Sequence, residues 1–192
     1  MADEGWQAGW QPMIAAVGRN FDEGAPTFAG DPVEQSTIRR WLEPLEFDCK
    51  LHTSRETARA HGYDDIIAPA ASMLMWTLPP MRQPGQVIFT SHERNAQPED
   101  SPINNVGLEL APPTNGFFGT DLEIEFLRPV VVGSRLAQRG RRLLSCTPKE
   151  TAVGKGAFIK WESDVVDENL DVVARVRTGT YAYNAHDEEI DR

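Results

Sequence analysis

The chain has 192 residues, 40% of them hydrophobic, enough to bury one sizeable core and suited to one domain with extensions. Its net charge of -10 argues against nucleic acid as a partner, because affinity for a phosphate backbone comes from cationic contacts. No apolar run is long enough to span a bilayer, and the opening MADEGWQAGW lacks the basic start and apolar middle of a signal peptide, so a cytoplasmic protein outside the membrane is expected. Cys49 and Cys146 are too few and too isolated for a disulfide framework or a metal knuckle, and no metal is expected.

Residues 1–30 read as an N-terminal arm without a sustained period, whose Trp6 and Trp10 suit packing onto the host domain or a partner rather than chemistry. A single domain is expected over 31–185. Asp31-Pro32-Val33-Glu34 has the form of a helix start, with Asp31 as cap and Pro32 in the first position. Ile38, Trp41, Leu42 and Leu45 then recur at helical spacing, and Pro44 should end that helix near Glu43. Thr53 to Glu56 has the T-x-x-E form of a capping box, which puts His52 just outside the next helix. Gly62 ends that helix, with His61 as a cation at its C-terminus. Pro69 opens another, Ala70 to Leu78, apolar nearly all round and therefore expected to be buried.

Residues 79–118 are rich in Pro, Asn, Gly and charge and read as a long functional loop, with a short strand conceivable near Val87 to Thr90 and His92 exposed. From there the period switches to two: Leu122, Ile124 and Phe126 alternate with Asp121, Glu123 and Glu125. Three further strands follow, SRLAQRGRRLLSC, GKGAFIKWESDVVDE and DVVARVRTGTYAYN, before the acidic tail 186–192. Strands at short intervals after one apolar helix predict an α+β hot-dog fold, an antiparallel sheet wrapped around a buried central helix.

Together STIRRWLEPLEFDCKLHTSRETARAHGYDDIIAPA, FFGTDLEIEFLRPVVVGSRL and KETAVGKGAFIKWES resemble the MaoC-like hot-dog dehydratases, in their N-terminal or FAS1-like dehydratase branch, from Val33 to Tyr183. The resemblance implies hydration of a trans-2-enoyl thioester to an R-3-hydroxyacyl thioester, or the reverse, on CoA or carrier-protein substrates and without a cofactor. The family's catalytic loop, D-x-N-P-x-H, puts its histidine on His52, its aspartate on Phe47, and its asparagine and proline on Cys49 and Lys50, with Asp48 one residue off. Its oxyanion glycine falls on Ala70, at a helix start whose free amides favour developing negative charge. The expected catalytic set is thus His52, Asp48 and Ala70.

Met73 and Trp76 are expected to border the acyl group, and Arg135, Arg139 and Arg141, with Arg142 beside them, to meet the substrate's phosphates. Lys149, Lys155 and Lys160 read equally as phosphate contacts or as a solvated face. With Phe47 where an acid belongs, the resemblance implies a heterodimer or heterotetramer in which a second hot-dog subunit carries the intact loop. The alternatives are a self-sufficient homodimer using His52 with Asp48, a non-catalytic acyl-thioester-binding protein, and, ranked lowest, a thioesterase.

Overall fold

Nearly everything from Gly116 onward is strand. In this computed structural model, which describes residues 5–96, 98 and 107–186, β1 (Gly116–Phe126), β2 (Ala137–Thr151), β3 (Gly154–Val166) and β4 (Val172–Ala185) form one antiparallel sheet in the order β1-β4-β3-β2. The expected acidic tail lies, beyond His186, outside the described residues, as do residues 97 and 99–106 of the long loop. Local chemistry makes the turns. Between β3 and β4 the Asp167 carboxylate accepts the amides of Asn169 and Asp171, and Leu170 takes up a positive φ of 66°.

Register then sorts the side chains onto two faces, since neighbours along a strand point opposite ways. Ala157, Ile159, Trp161 and Val165 of β3 stand opposite Ala182, Thr180, Thr178 and Ala174 of β4 and make the inner face. The outer face carries charge. Arg177 pairs with Glu123 of β1 and Glu162 of β3, and Asp164 pairs with both Arg139 and Arg175.

Two groups of elements pack on the inner face. At one end α3 (Gln35–Leu42) and the central helix (Ala70–Thr77) bury Ile38, Leu42, Met73 and Trp76 against Leu136, Val165, Ala174 and Val176. At the other end the arm forms two short helices, α1 (Gly5–Ala8) and α2 (Gln11–Ala15), and buries Trp10 and Met13 against Leu143, Cys146, Ala157, Ile159 and Trp161. Helices of four and five residues are too short to leave a period in the sequence, which is why only their aromatic anchors were legible.

The arm also covers one edge of the sheet. Gly18, Phe21 and Ala29 donate their amides to Leu143, Arg141 and Leu136 of the β2 side, and Leu143 donates back to Arg19. The opposite edge is bare. Among the described residues β1 pairs only with β4, and Phe117, Leu122 and Phe126, which share the inner face with Ala182, Thr178 and Ala174, stay exposed, Phe117 to 80%. The period-two pattern of β1 was legible; that its apolar side would lack cover among the described residues was not.

Three local expectations are corrected. Asp31 and Pro32 do not start α3; Glu34 precedes its first residue, because the backbone of Val33 pairs with Ser134 and Gly133 and is held extended. No strand forms at Val87 to Thr90, where the chain bends and buries only Ile88. The central helix is buried on one side only: Ser72, Met73, Trp76 and Thr77 face inward, whereas Ala70, Ala71 and Met75 are exposed. Pro44 does end α3, through one further turn at Glu43–Leu45 and a left-handed Glu46. Among the described residues no helix is long and apolar enough to cross a membrane.

Trp10 is 2% exposed although it belongs to an arm. Truncating a buried tryptophan leaves a cavity that costs about 3–5 kcal/mol. Trp10→Ala is therefore expected to lower unfolding stability by that order in a urea titration, whereas a loss below about 1 kcal/mol would mean the arm does not belong to the core.

Candidate functional site

His52 stands in a single turn, Lys50–His52, immediately before α4 (Arg55–Ala60). The cap of α4 is Ser54, whose hydroxyl accepts the Thr57 amide, so the expected capping box is shifted by one residue from Thr53. After α4, Gly62 turns the chain with a positive φ of 87°, and His61 bonds the Thr57 carbonyl through Nδ1, as a C-terminal cation would. The returning segment, Ile66 to Ala68, is clasped on two sides. Ile67 donates its amide to Leu51, Ala68 donates to Val130, and Val132 donates to Ile66.

This clasp sets the histidine. The Nδ1 of His52 lies 2.7 Å from the carbonyl oxygen of Ile67. A carbonyl only accepts, so Nδ1 carries the proton and donates it, and in the neutral ring the lone pair is on Nε2. On its other side the ring meets Phe47, with centroids 5.7 Å apart.

Pro69 leads the backbone from the clasp into the central helix. That helix is wound as 3₁₀, and the hydroxyls of Ser72 and Thr77 bond carbonyls three residues back, at Pro69 and Leu74. Ser72 also accepts the Trp76 indole N–H. The first two amides of the helix, those of Ala70 and Ala71, have no acceptor among the described residues and lie at its positive end. Beside them is a cavity of about 330 Å³ lined by His52, Ile67, Ala68, Ala70 and Met73 on one side and by Phe126 to Val130 on the other.

Three expected residues, His52, Ala70 and Met73, thus meet at one cavity. Asp48 does not: it is exposed on the loop and absent from the lining. Trp76 is a core residue, buried against the sheet instead of facing this cavity.

The three arginines are also elsewhere. Arg135 donates to the carbonyls of Ala29 and Gly30 and anchors the arm. Arg139 pairs with Asp164, and Arg141 lies over the Trp161 ring at 4.3 Å; burial pulls its pKa below the ordinary guanidinium value while Asp22 pulls the other way. Arg139, Arg141 and Arg142 line a separate cavity together with Asp22, Glu23, Glu162 and Asp164, so the positive charge there is offset by carboxylates.

Two participants escaped the sequence reading. Arg128 lines the cavity and makes long pairs of 3.4 and 3.5 Å with Asp167 and Asp171. The Ile67 carbonyl carried no signal, since any residue supplies one. Among the lining residues the ionisable groups are His52 and Arg128, and no carboxylate is present.

The family model for the FAS1-like, dehydratase domain region matches residues 15–176. The chain is 32% identical over 169 residues to a probable enoyl-CoA hydratase alpha subunit of Thermomonospora curvata, covering 86% of this chain and 49% of that one. It is 26% identical over 136 residues to a 3-oxo-4,17-pregnadiene-20-carboxyl-CoA hydratase alpha subunit of Mycobacterium tuberculosis, covering 70% of this chain and 40% of that one. The chain thus spans about half, or less, of the length of these curated relatives.

Among solved structures, it superposes on a chain of the ChsH1-ChsH2 complex from Mycobacterium tuberculosis with a TM-score of 0.64 at 23% identity, covering 94% of this chain and 97% of that one. A MaoC-like dehydratase from Rhodospirillum rubrum gives 0.54 at 20% identity, with 89% and 94% covered. At such identities the likeness carries the fold, the expected hot-dog of antiparallel sheet and helix. With the family model spanning most of the chain, the protein belongs to the FAS1-like dehydratase domain region family.

Proposed function

We propose that this chain is one subunit of an R-specific enoyl-CoA hydratase, adding water to a trans-2-enoyl thioester, and that a second hot-dog subunit completes it. The observation that carries the reading is a cavity lined by a tautomer-fixed histidine and by Ala70, the first residue of the central helix, whose amide has no acceptor among the described residues, with no carboxylate in the lining. Hydration needs two proton transfers. A base takes a proton from water as its oxygen bonds to C3, the C2–C3 π pair shifts to C1–C2 and the carbonyl π pair to the thioester oxygen; the enolate then re-forms the carbonyl as its C1–C2 pair takes a proton from an acid at C2.

In this reading His52, with its Nε2 lone pair, is the base. The amide of Ala70 receives the enolate oxygen, where a helix start favours negative charge. The proton donor to C2 comes from the partner, because Phe47 occupies the place where the family pattern has an aspartate. Met73 and Phe126 border the acyl group. The names of the two relatives support a CoA thioester as substrate, and one of them acts on a steroid side chain, which favours a bulky acyl group here as well. CoA thioester chemistry of this kind fits the cytoplasm.

The bare edge of β1 supports a partner. Exposed strand edges with apolar side chains invite pairing with another chain, and Phe117, Leu122 and Phe126 offer such a row. Charged substitutions there, Phe117→Glu with Leu122→Glu, replace side chains that are themselves exposed. They are expected to abolish co-purification with the partner while the chain keeps its circular-dichroism spectrum. Retained co-purification would place the partner elsewhere.

The catalytic reading is tested with the chain purified alone and together with a co-expressed hot-dog protein from a neighbouring gene. Enoyl-CoA hydration is expected from the pair only, and His52→Ala in the pair should lower kcat by about 10²–10⁴-fold with the complex intact. Full turnover by the lone chain, or a paired His52→Ala variant of normal rate, contradicts the proposal.

A further inference from the structure

We infer that Arg55 and Asp65 form a positioning pair that holds the Ile67 carbonyl in place and thereby sets the tautomer and direction of the His52 ring. The role given to His52 rests on the hydratase reading; the geometry of the pair does not. Arg55 is the first residue of α4, three positions after His52, and its Nε reaches both carboxylate oxygens of Asp65, at 2.9 and 3.0 Å. Asp65 Oδ1 also accepts the Ile66 amide at 2.7 Å. One helical turn on, Arg59 donates to the Asp64 carbonyl at 3.1 Å, so two arginines four residues apart grip the same returning segment.

The segment they grip is short. From Asp65 the backbone passes through Ile66 to Ile67, whose carbonyl receives His52 Nδ1 and whose amide donates to Leu51 beside it. The ring and its acceptor therefore lie on two strands of a loop whose far end the Arg55–Asp65 pair closes. The Asp65 carboxyl is held below the usual carboxylate range, first by its hydrogen bond with Arg55 and then by the Ile66 amide, so the pair stays charged through neutral and mildly acidic pH.

The side chains of Arg55 and Asp65 are 51% and 21% exposed. Pairs so exposed contribute little to folding, and their removal is not expected to unfold the chain. What they contribute is direction. A neutral imidazole not held through Nδ1 redistributes its proton toward Nε2, the nitrogen that a base must keep free.

The test reads the ring directly. Long-range ¹H–¹⁵N spectra of the ¹⁵N-histidine-labelled protein are expected to give the Nδ1–H tautomer for His52 in the wild type, and a mixture richer in Nε2–H in Asp65→Ala and Arg55→Ala. In the reconstituted complex the same variants should lose about tenfold or more in kcat with KM within about twofold, since misplacing a reacting group acts on the chemical step. Arg55→Lys, which keeps the charge without the Nε–H that both carboxylate oxygens share, should recover part of both effects. Unchanged tautomer and unchanged kcat in variants that melt near the wild-type temperature overturn the inference. A tautomer shift accompanied by a harmless His52→Ala would leave the pair standing and remove the hydratase reading. Asp65→Asn, which keeps an acceptor for the Ile66 amide, decides the matter if the alanine variants do not fold.

Discussion

The structure depends on the way three residues, Ile66 to Ala68, are held between two parts of the chain that are remote in sequence. Their outward amides and carbonyls meet Val130 and Val132 beyond β1, and the Ile67 amide and carbonyl meet Leu51 and His52 before α4. Buried backbone groups must be paired somewhere, and here the pairing does more than satisfy them. It fixes where the central helix starts, because Pro69 follows directly, and it fixes which nitrogen of His52 carries the proton. A shift of one residue in this segment would move the histidine, the helix amides and the Met73 wall together.

The sheet is finished unevenly. On the β2 side the arm supplies both backbone partners for the edge and a buried tryptophan for the inner face. On the β1 side neither exists among the described residues, although β1 is 11 residues long and carries apolar side chains on its inner face. Proteins seldom leave a long apolar edge open. The asymmetry becomes intelligible once the cavity is considered, because Phe126 belongs both to the bare strand and to the cavity lining. In the proposed assembly, a partner that covered β1 would therefore also border the cavity.

Much of this was legible in the residues, and the failures have physical causes. The strands announced themselves because a sheet with one wet face imposes a period of two, and Leu122 to Phe126 obeys it. The stop at Pro44 was legible because proline removes a donor whatever its surroundings. Asp31-Pro32 failed as a helix start because propensity is a weak prior, and the tertiary pairing of Val33 with the turn at Gly133 and Ser134 overrode it. The meeting of His52 with Ala70, 18 positions apart, followed from family resemblance and not from spacing. The Arg55–Asp65 contact and the role of the Ile67 carbonyl left no trace, since a backbone oxygen has no letter in a sequence.

The arginines argue for division of labour at the level of charge. They were the obvious candidates for a phosphate-bearing substrate, yet most are spent inside the fold: Arg135 ties down the arm, Arg141 lies on Trp161, and Arg139, Arg175 and Arg177 neutralise acids on the outer face. Arg128 is the cation that lines the His52 cavity, and two aspartates share it. A chain of net charge -10 repels polyanions at long range, and this one leaves little positive potential at its site to offset that. If a CoA thioester is the substrate and the proposed second subunit covers β1, that subunit must meet most of its phosphates. The same subunit would then supply the missing acid and the missing cations, which leaves this chain to fix the histidine, offer the helix amides and form the apolar wall.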